Sequence, residues 1–253
     1  MLNQNTAKGR PGLVVSLMVT LLLLLCSPSH AQTLPSDITP FEIEYEVGNN
    51  LISAGSATLS LTRKDDEWVY SLTTKPSGIF KLTGKGKIQE ISIINVTDEE
   101  SLQPSRYTYR QDEEAKRSVD AWFNWDDNEL TYKKRGEEVV EEIRDPIMDR
   151  LSVTLAIMEQ LREGFTRAEL QVFDNGRVKT VVFDNEGTET MNTKLGRVEV
   201  VRVRSYNKEP SPSRETITWF AKDFDFVPVR IEQHKRGKLV ARLNLRKLRN
   251  SEP

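Results

Sequence analysis

Few residues of this 253-residue chain could carry acid–base, nucleophilic or metal chemistry. The sequence has one cysteine, Cys26, and two histidines, His30 and His234. Thiolates and imidazoles supply most zinc ligands and most nucleophile–base pairs, so we expect no metal site, no cofactor and no catalytic residue. His234 precedes Lys235 and Arg236 in a strand-like segment, where a histidine is typically a solvated polar position. We therefore expect His234 to be dispensable.

Carboxylates are plentiful, and a glycosidase needs only two of them. Glutamates flank a valine pair in the segment 137–142, and Asp126 and Asp127 stand in a turn-like segment. These positions are typical of a solvated strand face and a turn. A paired-carboxylate site would also need one acid whose pKa is raised by burial. A carboxylate-dependent hydrolase acting on cell-wall or polysaccharide substrates is the alternative function that remains open.

Aromatic residues are the more suggestive candidates for a binding surface. Trp122 and Trp125 belong to one predicted strand, and Trp219, Phe224 and Phe226 to an aromatic-rich segment near the C-terminus. In both segments neighbouring aromatics point to opposite faces, so core packing explains only one face. The second face must be covered by the helix, another sheet layer, a ligand or a partner. These five residues are the candidate ligand or partner surface.

Alternation with period two dominates the sequence. In the segment 41–47 every odd residue is apolar and every even one is Glu, and apolar residues alternate again between Leu239 and Leu245. Asn175-Gly176 is the best hairpin signal, because both residues tolerate the positive φ of a type I′ turn, and Asn185-Glu186-Gly187 also resembles a turn. Many strands at this spacing predict a mainly β fold, a curved antiparallel meander that forms a barrel or half-barrel.

One segment breaks this period. Asp145 can cap a helix, Pro146 suits a first helical position, and the apolar residues that follow recur at a spacing near 3.6 as far as Leu161. The remaining face of this segment is also apolar. We therefore predict one helix over about 146–161 that is covered on more than one side.

The first thirty-one residues have the three parts of a cleavable signal peptide. A basic start is followed by an apolar core of about thirteen residues, too short to span a bilayer, and then by Ser29-x-Ala31. We place the cut between Ala31 and Gln32, which predicts a periplasmic protein. Acylation of Cys26 is a competing interpretation, disfavoured because the large Leu25 precedes the cysteine.

Removal of this segment would leave one β-rich domain over 32–248 and a disordered tail over 249–253. Lys plus Arg then falls from 36 to 34 while Asp plus Glu stays at 38, so the formal charge becomes −4. This mixed charge has no nucleic-acid footprint, and we expect neither a nucleic-acid partner nor a transmembrane segment in the mature chain. The mature chain would also lack cysteine, which excludes disulfides.

Three stretches together resemble bacterial exported proteins known only as a domain of unknown function. They are the opening strand with Ser53-Ala54-Gly55 and Ala57-Thr58-Leu59, the helical Asp149-Arg150-Leu151-Ser152, and Thr218–Asp223 with Val227–Ile231. The last pair is similar to the family's Trp-x-Ala-x-Asp and Pro-Val-Arg-Ile motifs, with Lys222 where proline is usual. The resemblance implies export and a β-rich fold, and it brings no catalytic residues.

Three functions follow as hypotheses. The first is a non-enzymatic envelope protein whose sheet or cavity holds a lipid or another apolar or amphipathic envelope molecule. The second is the hydrolase described above. The third is an adaptor that binds an envelope protein partner along an edge strand.

Overall fold

The computed structural model describes residues 39–49, 52–64, 67–78, 86–97, 102–112, 117–209 and 214–250. These residues form fifteen strands and one α-helix, which confirms the mainly β prediction. In chain order the elements are β1 Phe41–Gly48, β2 Ser53–Lys64, β3 Glu67–Pro76, β4 Ile88–Val96, β5 Leu102–Gln111, β6 Val119–Asn124, β7 Glu129–Lys134, β8 Glu137–Glu142, β9 Ile147–Asp149, α1 Val153–Arg162, β10 Arg167–Phe173, β11 Val178–Thr193, β12 Gly196–Asn207, β13 Arg214–Ala221, β14 Val227–Lys235 and β15 Lys238–Asn250.

All fifteen strands belong to one sheet, in the order β8 to β1 followed by β15 to β9. Two meanders therefore meet where β1 pairs with β15, and only the β9–β10 pair is parallel. The sheet edges β8 and β9 are consecutive in the chain, and the step from Glu142 to Ile147 reaches at most about 18 Å. Fourteen strand spacings of about 4.8 Å would hold the edges of a flat sheet about 67 Å apart. The connection between β8 and β9 therefore forces the sheet to curl.

Side chains close the curl where no strand pairing does. Phe173 at the end of β10 is fully buried, with its ring centroid 6.3 Å from Tyr107, 6.2 Å from Phe123 and 5.1 Å from Tyr132. Those three rings belong to β5, β6 and β7 of the other meander. Aromatic contacts of this kind add to the burial of large apolar area, so Phe173 holds one end of the sheet against the other.

The helix begins later than predicted. The residues Ile147–Asp149 form β9 and pair in parallel with Gln171–Phe173, and α1 covers only Val153–Arg162. The apolar spacing of the segment fits both periods, and backbone pairing with β10 decides in favour of a strand. The expected burial on more than one face is confirmed, since seven of the ten helical residues are buried. The helix is part of the core.

Two other differences concern strand lengths. β11 runs through the predicted turn at Asn185-Glu186-Gly187, which is instead a register shift in the pairing with β12, with Gly187 at φ 96°. β15 continues to Asn250, beyond the predicted domain end at Leu248, and Arg249 pairs with both Glu42 and Glu44. The predicted Asn175-Gly176 hairpin is confirmed, with φ values of 54° and 72°.

The predicted signal peptide, its cleavage site after Ala31, Cys26 and the last three residues lie outside the described residues. Within the described ranges, no helix has the length and apolar character needed to cross a membrane.

Candidate ligand-binding cavity

The curled sheet encloses a cavity of about 540 Å³, within the usual range for small-molecule sites. Strands from both meanders and the start of α1 line it. Fourteen of its 28 lining residues are aliphatic or aromatic, including Leu59, Leu72, Val181, Phe183, Val203 and Ile231.

Burial of the lining residues changes from one end of the cavity to the other. Leu151, Val153 and Ile157, around the start of α1, are buried and close one end. Arg214 and Lys235 also line the cavity but are exposed, as is Val240. The opening therefore lies where β13, β14 and β15 meet.

One wall carries an ion pair between the buried Glu90 and the partly exposed Arg150. Both oxygens of Glu90 accept hydrogen bonds at 2.9 Å from the Arg150 guanidinium, and one of them also accepts the Tyr107 hydroxyl proton at 2.9 Å. Arg150 lies 3.6 Å from Asp174, which is 2.8 Å from Lys179. The carboxylate of Glu90 is the main cause of the raised pKa of Arg150. Two cations and two carboxylates thus neutralise each other along this wall.

Asp149 anchors the helix start beneath that ion pair. Its carboxylate accepts hydrogen bonds from the backbone N–H groups of Leu151 and Ser152 and from the hydroxyls of Ser152 and Ser92, at 2.5 to 2.9 Å. Complete burial raises its pKa against the effect of these donors. Because Ser92 belongs to β4, the contact joins the two meanders. We call the four buried residues Glu90, Ser92, Asp149 and Ser152 the buried polar cluster.

His234 is not the solvated residue that the sequence predicts. Its side chain is 17% exposed, lines the cavity opening, and has Nε2 2.9 Å from Glu232. Arg242 donates to the other oxygen of Glu232 at 2.6 Å. Burial would raise the pKa of Glu232, but these two hydrogen bonds hold it below its ordinary value. His234 and Glu232 lie two residues apart on β14, so their side chains share one face of the strand and the contact is local. That His234 is dispensable stays a prediction.

The five predicted surface aromatics do not line the cavity, and they form two groups in different parts of the sheet. In sheet order, seven strands separate β6, which carries Trp122, from β13, which carries Trp219. Trp122 lies against Arg106 and Lys133, and Trp125 donates a hydrogen bond to the Pro104 carbonyl at 2.9 Å.

The C-terminal aromatic residues Trp219, Phe224 and Phe226 pack in or against the hydrophobic core. Trp219 is buried, lies between Arg202 and Arg230 at 5.7 and 5.6 Å, and donates its indole hydrogen to Glu189. Phe224 and Phe226 are half-buried against the core. Neighbouring side chains therefore cover the second aromatic face on this strand.

The carboxylates considered for hydrolysis lie elsewhere. Glu137, Glu138 and Glu142 are exposed on the edge strand β8, and Asp126 and Asp127 are exposed in the turn before β7. Glu141 accepts the Tyr132 hydroxyl proton at 2.9 Å. None of these six residues lines the cavity.

A second cavity, also of about 540 Å³, lies against the β11–β12 hairpin. Only three of its ten lining residues, Met191, Val229 and Leu245, are apolar. A polar wall of this kind offers little to an apolar ligand, so the first cavity is the stronger candidate site.

The residues that sequence reasoning missed are Glu90 and Arg150 in the wall and Arg214 and Lys235 at the opening. In β4 the polar Glu90 and Ser92 point inward while Ile91 and Ile93 are less buried, so alternation alone assigns the wrong face. The sequence signal that could have indicated the opening was a pair of cations, Arg214 at the start of β13 and Lys235 at the end of β14.

Among solved structures, a β-barrel-like protein of the domain of unknown function DUF1849 from Brucella abortus is similar to this chain. It has 10% identity and a TM-score of 0.57, covering 85% of this chain and 99% of that one. A candidate exported protein with a YmcC-like fold from Bacteroides fragilis has 10% identity, coverages of 84% and 97%, and a TM-score of 0.35. A lipoprotein candidate from Parabacteroides distasonis has 9% identity, coverages of 84% and 96%, and a TM-score of 0.33. The first likeness supports a β-barrel-like fold.

No curated protein matches the chain. Residues 41–242 match the family described as protein of unknown function DUF3108, which includes every described strand except the last eight residues of β15. The chain belongs to the DUF3108 family.

Proposed function

We propose that this protein is a non-enzymatic component of the bacterial envelope that is exported to the periplasm and holds an apolar or amphipathic envelope molecule in its cavity. The observation that carries this proposal is the cavity itself. Half of its lining residues are aliphatic or aromatic, they lie on strands of both meanders, and the cavity opens to solvent at β13–β15. Apolar wall area exposed to water in an empty cavity favours a ligand that removes it from water.

The arrangement of charge supports a binding role. In the wall, Glu90, Arg150, Asp174 and Lys179 neutralise one another, so their hydrogen bonds are already occupied. A hydrolase would need a carboxylate whose pKa suits proton transfer next to a second acid. The Glu90 carboxylate instead binds Arg150 and Tyr107, an arrangement that suits structure better than proton transfer.

Titration with decyl glucoside, a neutral single-chain amphiphile, tests the proposal. Val181 lines the cavity, so Val181→Trp should fill part of it and weaken binding by at least about tenfold, at a stability cost of about 1–3 kcal/mol. The matched control is Val140→Trp on β8, at a side chain that is 56% exposed and outside the cavity. The control should bind like the wild type.

Two results would contradict the proposal. One is that decyl glucoside fails to bind the wild-type protein. The other is that Val181→Trp and Val140→Trp bind it equally well, which would place the amphiphile outside the cavity.

A further inference from the structure

The opening of the cavity carries two cations that directly face each other. Arg214 on β13 is the cross-strand partner of Lys235 on β14, and Lys235 in turn pairs with Lys238 on β15. Like charges directly opposite on neighbouring strands repel each other and destabilise a sheet. Three cations in register across three strands therefore have an energetic cost that a bound anion would offset.

Arg214 and Lys235 belong to the cavity face of the sheet. On β13, Arg214 lies on the same strand face as Thr216 and Thr218. On β14, Lys235 lies on the same face as Gln233. All five residues line the cavity. Both cations are exposed, so they lie at the boundary between the apolar wall and solvent. A ligand whose chain occupies the cavity would place its head group beside them.

Neighbouring carboxylates do not neutralise these two cations. Within the described ranges, neither Arg214 nor Lys235 forms an ion pair. Glu215 is 3.8 Å from Arg204, which also binds Asp184 and Glu186, and His234 bonds Glu232. In the wall, Lys179 bonds Asp174. Four cations and three carboxylates line the cavity, so its lining has a formal net charge of +1, and the cations at its opening are Arg214 and Lys235.

We propose that the cavity ligand is an amphiphile with an anionic head group, a phosphate or carboxylate, which Arg214 and Lys235 bind while its apolar chain fills the cavity. This inference rests on the proposed function and adds the charge of the ligand. Lys238 strengthens the field at the opening without lining the cavity.

The test compares two probes that share one chain length, decyl phosphate and decyl glucoside, in low salt. The wild type should prefer decyl phosphate, and Arg214→Gln/Lys235→Gln should reduce that preference by about five- to tenfold, as expected for two exposed charge contacts. Its affinity for decyl glucoside should not change. At 1 M salt, where charges are screened within about 3 Å, the wild-type preference should shrink toward that of the variant.

The control Lys75→Gln/Arg135→Gln removes the same charge from two exposed cations outside the cavity and should keep the preference. Equal preference in both double variants would overturn the inference, and so would a wild type that binds the two probes equally.

Inorganic phosphate alone is the third probe. Phosphate binding as tight as that of decyl phosphate, and unchanged by Val181→Trp, would also overturn it, because a free anion would then be the ligand. Failure of decyl glucoside to bind would contradict the proposed function instead.

Discussion

Two groups of residues at the same cavity differ in whether their charges have partners. In the buried polar cluster, every charge has a partner: Glu90 binds Arg150, and Asp149 accepts four hydrogen bonds. At the opening, Arg214 and Lys235 are exposed and face each other. Removing one partner from a buried pair is costly, whereas exposed charges contribute little to stability. The first group therefore maintains the fold, and the second is available for recognition.

We expect the largest loss of stability from a substitution that breaks the buried polar cluster. Asp149→Ala would leave two hydroxyls and two backbone N–H groups without their acceptor, and we expect it to lower the free energy of unfolding by about 3–5 kcal/mol. Asp145→Ala, at an exposed carboxylate four residues earlier, should change it by less than about 0.5 kcal/mol. Urea denaturation of both variants measures the difference. A loss below about 1 kcal/mol for Asp149→Ala would remove the structural role of the cluster.

We expect the next largest loss of stability from a substitution in the buried helix α1. Leu155 is buried in α1, and Leu155→Ala should cost about 2–5 kcal/mol, the usual range for removing a buried leucine side chain. The denaturation midpoint should fall without a change in slope. An unchanged midpoint would mean that the helix is a detachable lid over the cavity.

Two buried tyrosines test whether the hydrogen-bond partner of a buried hydroxyl decides how its removal changes stability. The Tyr70 hydroxyl is buried with no hydrogen-bond partner in the described part of the chain, while the Tyr45 hydroxyl donates to the Pro228 carbonyl at 2.6 Å. Tyr70→Phe should stabilise the protein by about 1 kcal/mol, and Tyr45→Phe should destabilise it by about 1 kcal/mol. Thermal unfolding of the pair measures both signs. Destabilisation by Tyr70→Phe as large as that by Tyr45→Phe would contradict this expectation.

The smallest expected effect is at the opening. Arg214→Gln/Lys235→Gln removes a repulsive cross-strand pair, so stability should stay within about 0.5 kcal/mol of the wild type or rise slightly. Chemical denaturation without added ligand measures it. A loss of about 2 kcal/mol or more would assign these cations to the fold, where two surface substitutions cannot account for such a value.

The fold was predictable where its signals are local. Alternation located most strands, and Asn175-Gly176 indicated a hairpin because both residues tolerate the positive φ that the turn requires. β9 was not predictable, since a three-residue parallel strand depends on β10, twenty-four residues later in the chain. The site was hidden for the same reason. Arg150 has its ion-pair partner Glu90 sixty residues earlier in the chain, and the aromatic Trp219 is covered by Arg202 and Arg230 from neighbouring strands.

The most direct test of the central claim is native mass spectrometry of the protein recovered from its own cells. We expect a retained mass that fragments as an amphiphile with an anionic head group. This mass should be absent from Val181→Trp and present in Val140→Trp. Recovery of the wild type without any added mass, together with its failure to take up decyl phosphate, would contradict the claim that the cavity is a binding site.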